Sequence, residues 1–97
     1  MEAKGILKKF IQTREGTRQN GEPWRIDEYL FIVPGRYEHK YPIEVSGVER
    51  CKQWKDFFEG MPDKNAPVKI QFEIDSNEKD GRYFIHVQAW DISITEW

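Results

Sequence analysis

Polar and apolar positions alternate most cleanly over Val68–Asp75. Val68, Ile70, Phe72 and Ile74 share one parity, and Lys69, Gln71, Glu73 and Asp75 share the other. A period of two over eight residues predicts a half-buried strand with the apolar set on the core. Ser76–Gly81 follows as a polar turn, and its Asp80-Gly81 pair suits the positive φ of a hairpin. Tyr83–Ile94 is a longer run rich in aromatic and β-branched residues, which predicts the second strand.

Upstream the pattern is less regular. Lys4–Thr13 reads as a strand in which Ile6 and Phe10 share one parity and Leu7 and Ile11 the other. Mixed parity predicts burial on both faces or a bulge. Arg14–Pro23 has two glycines, an Asn-Gly pair and no apolar side chain before Pro23, so a loop is expected, either functional or simply solvated. Trp24–Val33 is the next strand, with Trp24, Ile26, Leu30 and Ile32 on one face and Tyr29, Phe31 and Val33 on the other. Pro34–Lys40 is a turn opened by Pro-Gly. Tyr41–Ser46 is a short strand, where Pro42 points to an edge or an outward N–H.

The period then changes. Val48, Cys51, Trp54, Phe58 and Met61, with Phe57, recur every three to four residues and predict one amphipathic helix. Ser46-Gly47-Val48-Glu49 reads as a capping box with Ser46 as the N-cap, and Gly60 as the terminator. The order β-β-β-α-β-β is that of an all-β fold with one helix, the five-stranded OB-fold barrel. In that layout the helix plugs one barrel end, and ligands lie over strands two and three between the first-second and fourth-fifth loops.

Ninety-seven residues predict a single domain spanning 1–97. Residues 1–55 carry eleven Lys or Arg against eight Asp or Glu, and residues 56–97 carry four against nine. With a net charge of −2, composition does not announce a strongly basic nucleic-acid binder, so local patches must carry any such role. The single cysteine, Cys51, excludes an internal disulfide, and one Cys with two His leaves too few ligands for a structural zinc. No membrane span or signal peptide is apparent, and a soluble cytoplasmic protein is expected.

Catalytic chemistry finds little support. His39 and His86 have no Ser or Cys at a recognisable spacing, Cys51 lies on the apolar helix stripe, and no phosphate-binding glycine loop is present. No enzyme activity, metal or cofactor is expected. Single-stranded nucleic acid needs cations along the phosphates and aromatic faces under the bases. The candidate cations are Lys8, Lys9, Arg14, Arg18, Arg25, Arg36, Lys40, Lys69 and Arg82. The candidate stackers are Trp24, Tyr37, Tyr41, Tyr83 and Phe84. Of these, Lys9, Arg18, Trp24, Arg25, Arg36, Tyr37, Lys40, Tyr41, Arg82 and Phe84 form the expected binding set. Trp54, Phe72 and Trp90 are assigned to the core, Trp24 either closes a barrel end or stacks, and at most one of Tyr83 and Phe84 can be core.

Several motifs also carry a resemblance. They are Gly5, Gly21-Glu22-Pro23-Trp24, Glu28-Tyr29-Leu30, Tyr41-Pro42, and the closing run Phe72-Glu73-Ile74-Asp75-Ser76, Asp80-Gly81-Arg82-Tyr83-Phe84 and Val87-Gln88-Ala89-Trp90. Through them the chain resembles a bacterial family of small OB-fold domains of unknown function, similar in design to single-stranded-DNA-binding and primosomal replication proteins. The resemblance implies binding of single-stranded DNA, or RNA, by a homodimer. The acidic tail that such proteins often carry is not among these residues. The alternative is a protein-interaction or dimerisation module without nucleic-acid affinity, using the two apolar faces of the second strand. No membrane or small-molecule partner is expected.

Overall fold

The computed structural model describes residues Met1–Trp97. Five strands and one helix follow in the expected order: β1 Glu2–Thr17, β2 Pro23–Val33, β3 His39–Ser46, α1 Val48–Gly60, β4 Val68–Lys79 and β5 Arg82–Ile94. The strands close into a barrel ordered β1-β2-β3-β5-β4, the ring of an OB-fold. All neighbours are antiparallel except β3 and β5, which meet in parallel through a single bridge, Glu44 to Gln88. Pro42 precedes that bridge, so its missing N–H costs the β3–β5 contact nothing. No helix is long and apolar enough to cross a membrane.

β1 closes the ring by serving two neighbours. Glu2–Gly5 pair with β4, and Ile6–Thr17 pair with β2. The handover falls at Gly5 because no side chain fits there: a Cβ would lie 2.3 Å from the Ile32 carbonyl oxygen and 2.7 Å from Phe31 Cζ. Two register shifts then interrupt the β1–β2 ladder, between Leu7 and Lys9 and between Phe10 and Gln12. Each leaves one extra residue, Lys8 and Ile11, so Leu7, Phe10 and Thr13 all meet the inward side of β2 at Phe31, Tyr29 and Asp27. The mixed parity of this strand is therefore two bulges.

The core contains Leu7, Tyr29, Phe31, Ile43, Val45, Val68, Ile70 and Ala89 from the strands, and Cys51, Trp54 and Met61 from the helix side. Tyr29 joins the two layers, with its ring centroid 5.5 Å from Phe10, 5.8 Å from Trp54 and 5.7 Å from Phe58. The Cys51 thiol donates to the Val45 carbonyl at 3.2 Å, and burial pushes its pKa up. It is a buried apolar group, as its place on the stripe predicts.

Several sequence expectations are corrected. The helix N-cap is Gly47, at φ 107°, and no side chain caps it. Ser46 is the last residue of β3, held there by its pairing with Ile26, so its hydroxyl is not committed to the helix. The loop expected over Arg14–Pro23 shrinks to Arg18–Glu22, because pairing continues out to Thr17 and Pro23. The turn expected over Ser76–Gly81 shrinks to Asp80-Gly81, with φ 54° and 78°, because Ser76–Lys79 pair with Arg82–Ile85. Backbone ladder bonds extend both hairpins beyond their apolar portions. The outer ends project as two arms, giving a radius of gyration of 14.4 Å, against about 12.5 Å for a compact chain of this length.

Projection also changes the core. Ile74, expected on the buried face, is 56% exposed because it sits where the second arm leaves the barrel. Phe72 is half-buried and packed against the core. Trp90, also expected inside, is 47% exposed: it is the extra residue at a bulge where β5 shifts register opposite Gln71 and Phe72.

Candidate functional site

The β2–β3 register assigns the two faces. Asp27, Tyr29 and Phe31 oppose Val45, Ile43 and Tyr41 on the inward side. Ile26, Glu28, Leu30 and Ile32 oppose Ser46, Glu44, Pro42 and Lys40 on the outward side, with Trp24 further along the same parity. Lys9 on β1 lies opposite Leu30 and joins this outer face. His86 on β5 reaches Glu44 there, so Phe84 and Arg82, two and four residues away along an unbroken ladder, share the outward direction.

Five of the expected residues, Lys9, Trp24, Lys40, Arg82 and Phe84, thus belong to one surface. It runs across β2 and β3 from the first arm to the second. Arg18 stands at the first arm's tip, where Arg18 N–H donates to Glu22 O at 2.8 Å and Gly21 N–H to Arg18 O at 2.9 Å. Arg36 and Tyr37 lie in the β2–β3 loop, with the guanidinium 5.8 Å from the ring centroid. Trp24 is half-buried, and its indole lies across Gly16, where a Cβ would come within 2.8 Å of Nε1. A cleft of about 450 Å³ opens beside it, lined in part by Arg18, Ser46 and Val48. Tyr83 and Phe84 are 70% and 50% exposed, so neither is core.

Two expected residues lie on the other side. Tyr41 faces inward near the open barrel end, stacked on His39 at 6.5 Å between ring centroids. Arg25 is tied down: its Nε and Nη2 donate to Asp27 at 2.9 and 3.0 Å. Asp27 is fully buried and also accepts from Thr13 Oγ1 at 2.5 Å. The Asp27 hydrogen bond raises the Arg25 pKa, and partial desolvation, which acts the other way, does not cancel it. Arg25 is a structural partner of a buried carboxylate.

The floor of the outer face holds a polar chain that single-residue reading missed. Glu28 and Glu44 are directly paired across β2 and β3. Arg14 Nη2 lies 3.3 Å from Glu28 Oε1 and 3.6 Å from Glu44 Oε1. Gln12 Nε2 donates to Glu28 Oε2 at 3.0 Å, and His86 Nδ1 donates to Glu44 Oε1 at 2.8 Å. Asn77 Nδ2 approaches His86 Nε2 at 3.3 Å. The only sequence signal was the outward parity of Glu28 and Glu44; their bridging by Arg14 required the longer β1. No grouping of three His, Cys, Asp or Glu side chains is arranged to hold a metal.

The barrel end opposite Trp24 is apolar. A cavity of about 220 Å³ opens there, lined by nine apolar residues that include Tyr41, Phe72, Ile74 and Val87. Tyr83 and Ile85 continue the apolar strip along the second arm, opposite in parity to Arg82 and Phe84.

Solved structures share this fold. The mitochondrial single-stranded DNA binding protein Rim1 of S. cerevisiae superposes with a TM-score of 0.62 at 17% identity, over 99% of this chain and 96% of that one. A second form of Rim1 gives 0.58 at 19%, over 99% and 93%. The N-terminal domain of PriB from Thermoanaerobacter tencongensis, described as dimeric, gives 0.55 at 21%, over 100% and 96%. No curated protein matches the sequence. The family whose model does match, over residues 2–93, is described as a domain of unknown function, DUF3127, and the chain belongs to it.

Proposed function

We propose that this chain binds single-stranded nucleic acid, DNA in the first place, across the outer face of β2 and β3, without catalysing a reaction. The observation that carries the reading is the gathering of Lys9, Trp24, Lys40, Arg82 and Phe84 on one surface between two projecting arms. Exposed aromatic faces accept bases and flanking cations take the phosphates. Phe84 and Trp24 are the stackers; Lys9, Arg18, Arg36, Lys40 and Arg82 are the phosphate contacts, and Tyr37 adds a margin. Tyr41 and Arg25 drop out of the set because of the direction each takes. The fold shared with Rim1, described as a single-stranded DNA binding protein, supports the same reading.

A net charge of −2 makes this binding modest and salt-sensitive. Each phosphate contact contributes about −0.7 to the slope of log K against log salt. The test is fluorescence anisotropy with labelled oligo-dT at low and moderate salt. Saturable binding that weakens with salt is expected. Phe84→Ala should lower affinity by about 1–3 kcal/mol, the range for one stacked base, with the melting temperature unchanged. No binding at low salt and high micromolar protein would remove the reading.

A separate observation favours a homodimer. Ile74, Tyr83 and Ile85 leave an apolar strip exposed beside the apolar cavity. A second copy covering that strip would keep the outer face free for nucleic acid, and the dimeric description of the PriB domain agrees. On β2, Ile32 is already buried within the chain, so the arm replaces that strand as the contact. Light scattering after size exclusion tests it, and a monomer at high concentration would remove it. Were oligonucleotide binding absent and a dimer present, the protein-interaction module would be the better reading.

A further inference from the structure

Like charges placed directly opposite on neighbouring strands destabilise a sheet. Glu28 and Glu44 are placed so, with side chains only 18% and 15% exposed. What holds them together is Arg14, which reaches both carboxylates, aided by His86 on Glu44 and Gln12 on Glu28. His86 donates Nδ1–H to Glu44. Two carboxylates thus share a single guanidinium. A residual negative charge sits in the middle of the surface that carries Lys9, Lys40, Arg82 and Phe84, where a polyanion would have to lie.

From this we infer that Glu28 and Glu44 are built-in counter-charges that occupy Arg14 and restrain the affinity of the groove, and that an incoming phosphate takes Arg14 from Glu44. The inference rests on the nucleic-acid reading above and names the residues that set its strength. Arg14 is 48% exposed and its contact with Glu44 is the longer of its two, so it can turn outward while keeping Glu28. Arg14 is then a latent phosphate ligand. The carboxylates act as affinity-limiting residues, which lets a ligand be released as well as bound.

The test is anisotropy with labelled oligo-dT at low salt on the full chain and its Glu28→Gln and Glu44→Gln variants. Glutamine keeps the shape and an acceptor oxygen, and thermal melts verify that each variant is folded. Removing one charge so close to the phosphates should tighten binding about three- to tenfold, with the gap narrowing as salt rises. Asp56→Asn, the same charge change on the exposed face of α1, should leave affinity unchanged. Arg14→Ala should weaken binding both in the unaltered chain and in Glu44→Gln, because the phosphate takes Arg14 in each. Binding by a folded Glu44→Gln chain where the unaltered chain shows none would support the inference outright. If the unaltered chain binds and neither Gln variant tightens, or Asp56→Asn tightens equally, the inference fails and the nucleic-acid reading stands. If no variant binds at all, both fall.

Discussion

Arg25→Ala tests the division between structural and binding residues. Asp27 is fully buried and accepts three hydrogen bonds, two of them from the Arg25 guanidinium and one from Thr13. Truncating Arg25 removes the cation and two of the three donors while leaving the carboxylate in place. Breaking a buried ion pair from one side costs about 3–5 kcal/mol, because the remaining charge stays desolvated. Arg25 itself is 19% exposed, so water can enter the space it leaves, and the lower end of that range applies. For a domain of this size, about 3 kcal/mol lowers the melting temperature by roughly 12–24 °C. Thermal unfolding followed by circular dichroism, together with urea titration, measures it. Arg25→Met combined with Asp27→Leu should recover most of the loss, since an apolar pair of similar volume carries no desolvated charge. If Arg25→Ala melts within about 3 °C of the unaltered chain, the Arg25–Asp27 pair is not what secures that end of the barrel. Arg25 would then return to the list of candidate phosphate contacts.

Gly5→Ala should destabilise by about 1–3 kcal/mol or more, because the added methyl meets the Ile32 carbonyl and β1 cannot pass between its two partners without shifting; a urea midpoint unchanged from the parent would contradict the close approach. Tyr29→Phe should be neutral or stabilising by about 1–2 kcal/mol, since the buried Tyr29 hydroxyl has no partner; a clear fall in the urea midpoint would mean that the hydroxyl is satisfied. Burial pushes the Cys51 thiol above its ordinary 9.0 and the Tyr29 phenol above its ordinary 10.0. An acid whose folded pKa is raised holds its proton longer when folded, so stability is intact below the unfolded value and declines as pH rises beyond it. A series of urea midpoints from pH 7 to about 10.5 should therefore bend downward above about pH 9, and Cys51→Ala should flatten the first part of that bend; an identical slope in the variant would remove Cys51 as its source.

Local pattern was enough for the elements and their order. A period of two marks β4 without any knowledge of its neighbours, and the three-to-four spacing from Val48 to Met61 marks the helix and its buried side at Cys51 and Trp54. The cations and aromatics of the candidate site were legible as residue types near loops. Their directions were only partly so: Lys9, Trp24, Lys40, Arg82 and Phe84 do share a face, whereas Tyr41 turns to the apolar end and Arg25 to Asp27.

Alternation separates two faces of a strand but does not say which one something else covers. That depends on where the barrel closes and where its hairpins leave it. Ile74 has the parity of a core residue and is exposed because the second arm has already departed from the ring. Trp90 has the size of one and is exposed because a bulge turns it out. The arms themselves extend through Thr13–Thr17 and Ser76–Lys79, where ladder hydrogen bonds rather than apolar side chains hold the strands, leaving little hydrophobic signal in the sequence. The Glu28–Glu44 juxtaposition is decided the same way. Sixteen positions apart in the chain, the two carboxylates become neighbours only through β2–β3 register, and only closure of β1 against β2 and β5 against β3 brings Arg14 and His86 to them. The sequence by itself determined which segments are strands and helix, because that information is local and periodic. The tertiary structure alone decided which charges meet on the candidate binding face, because that follows from register and closure between distant strands.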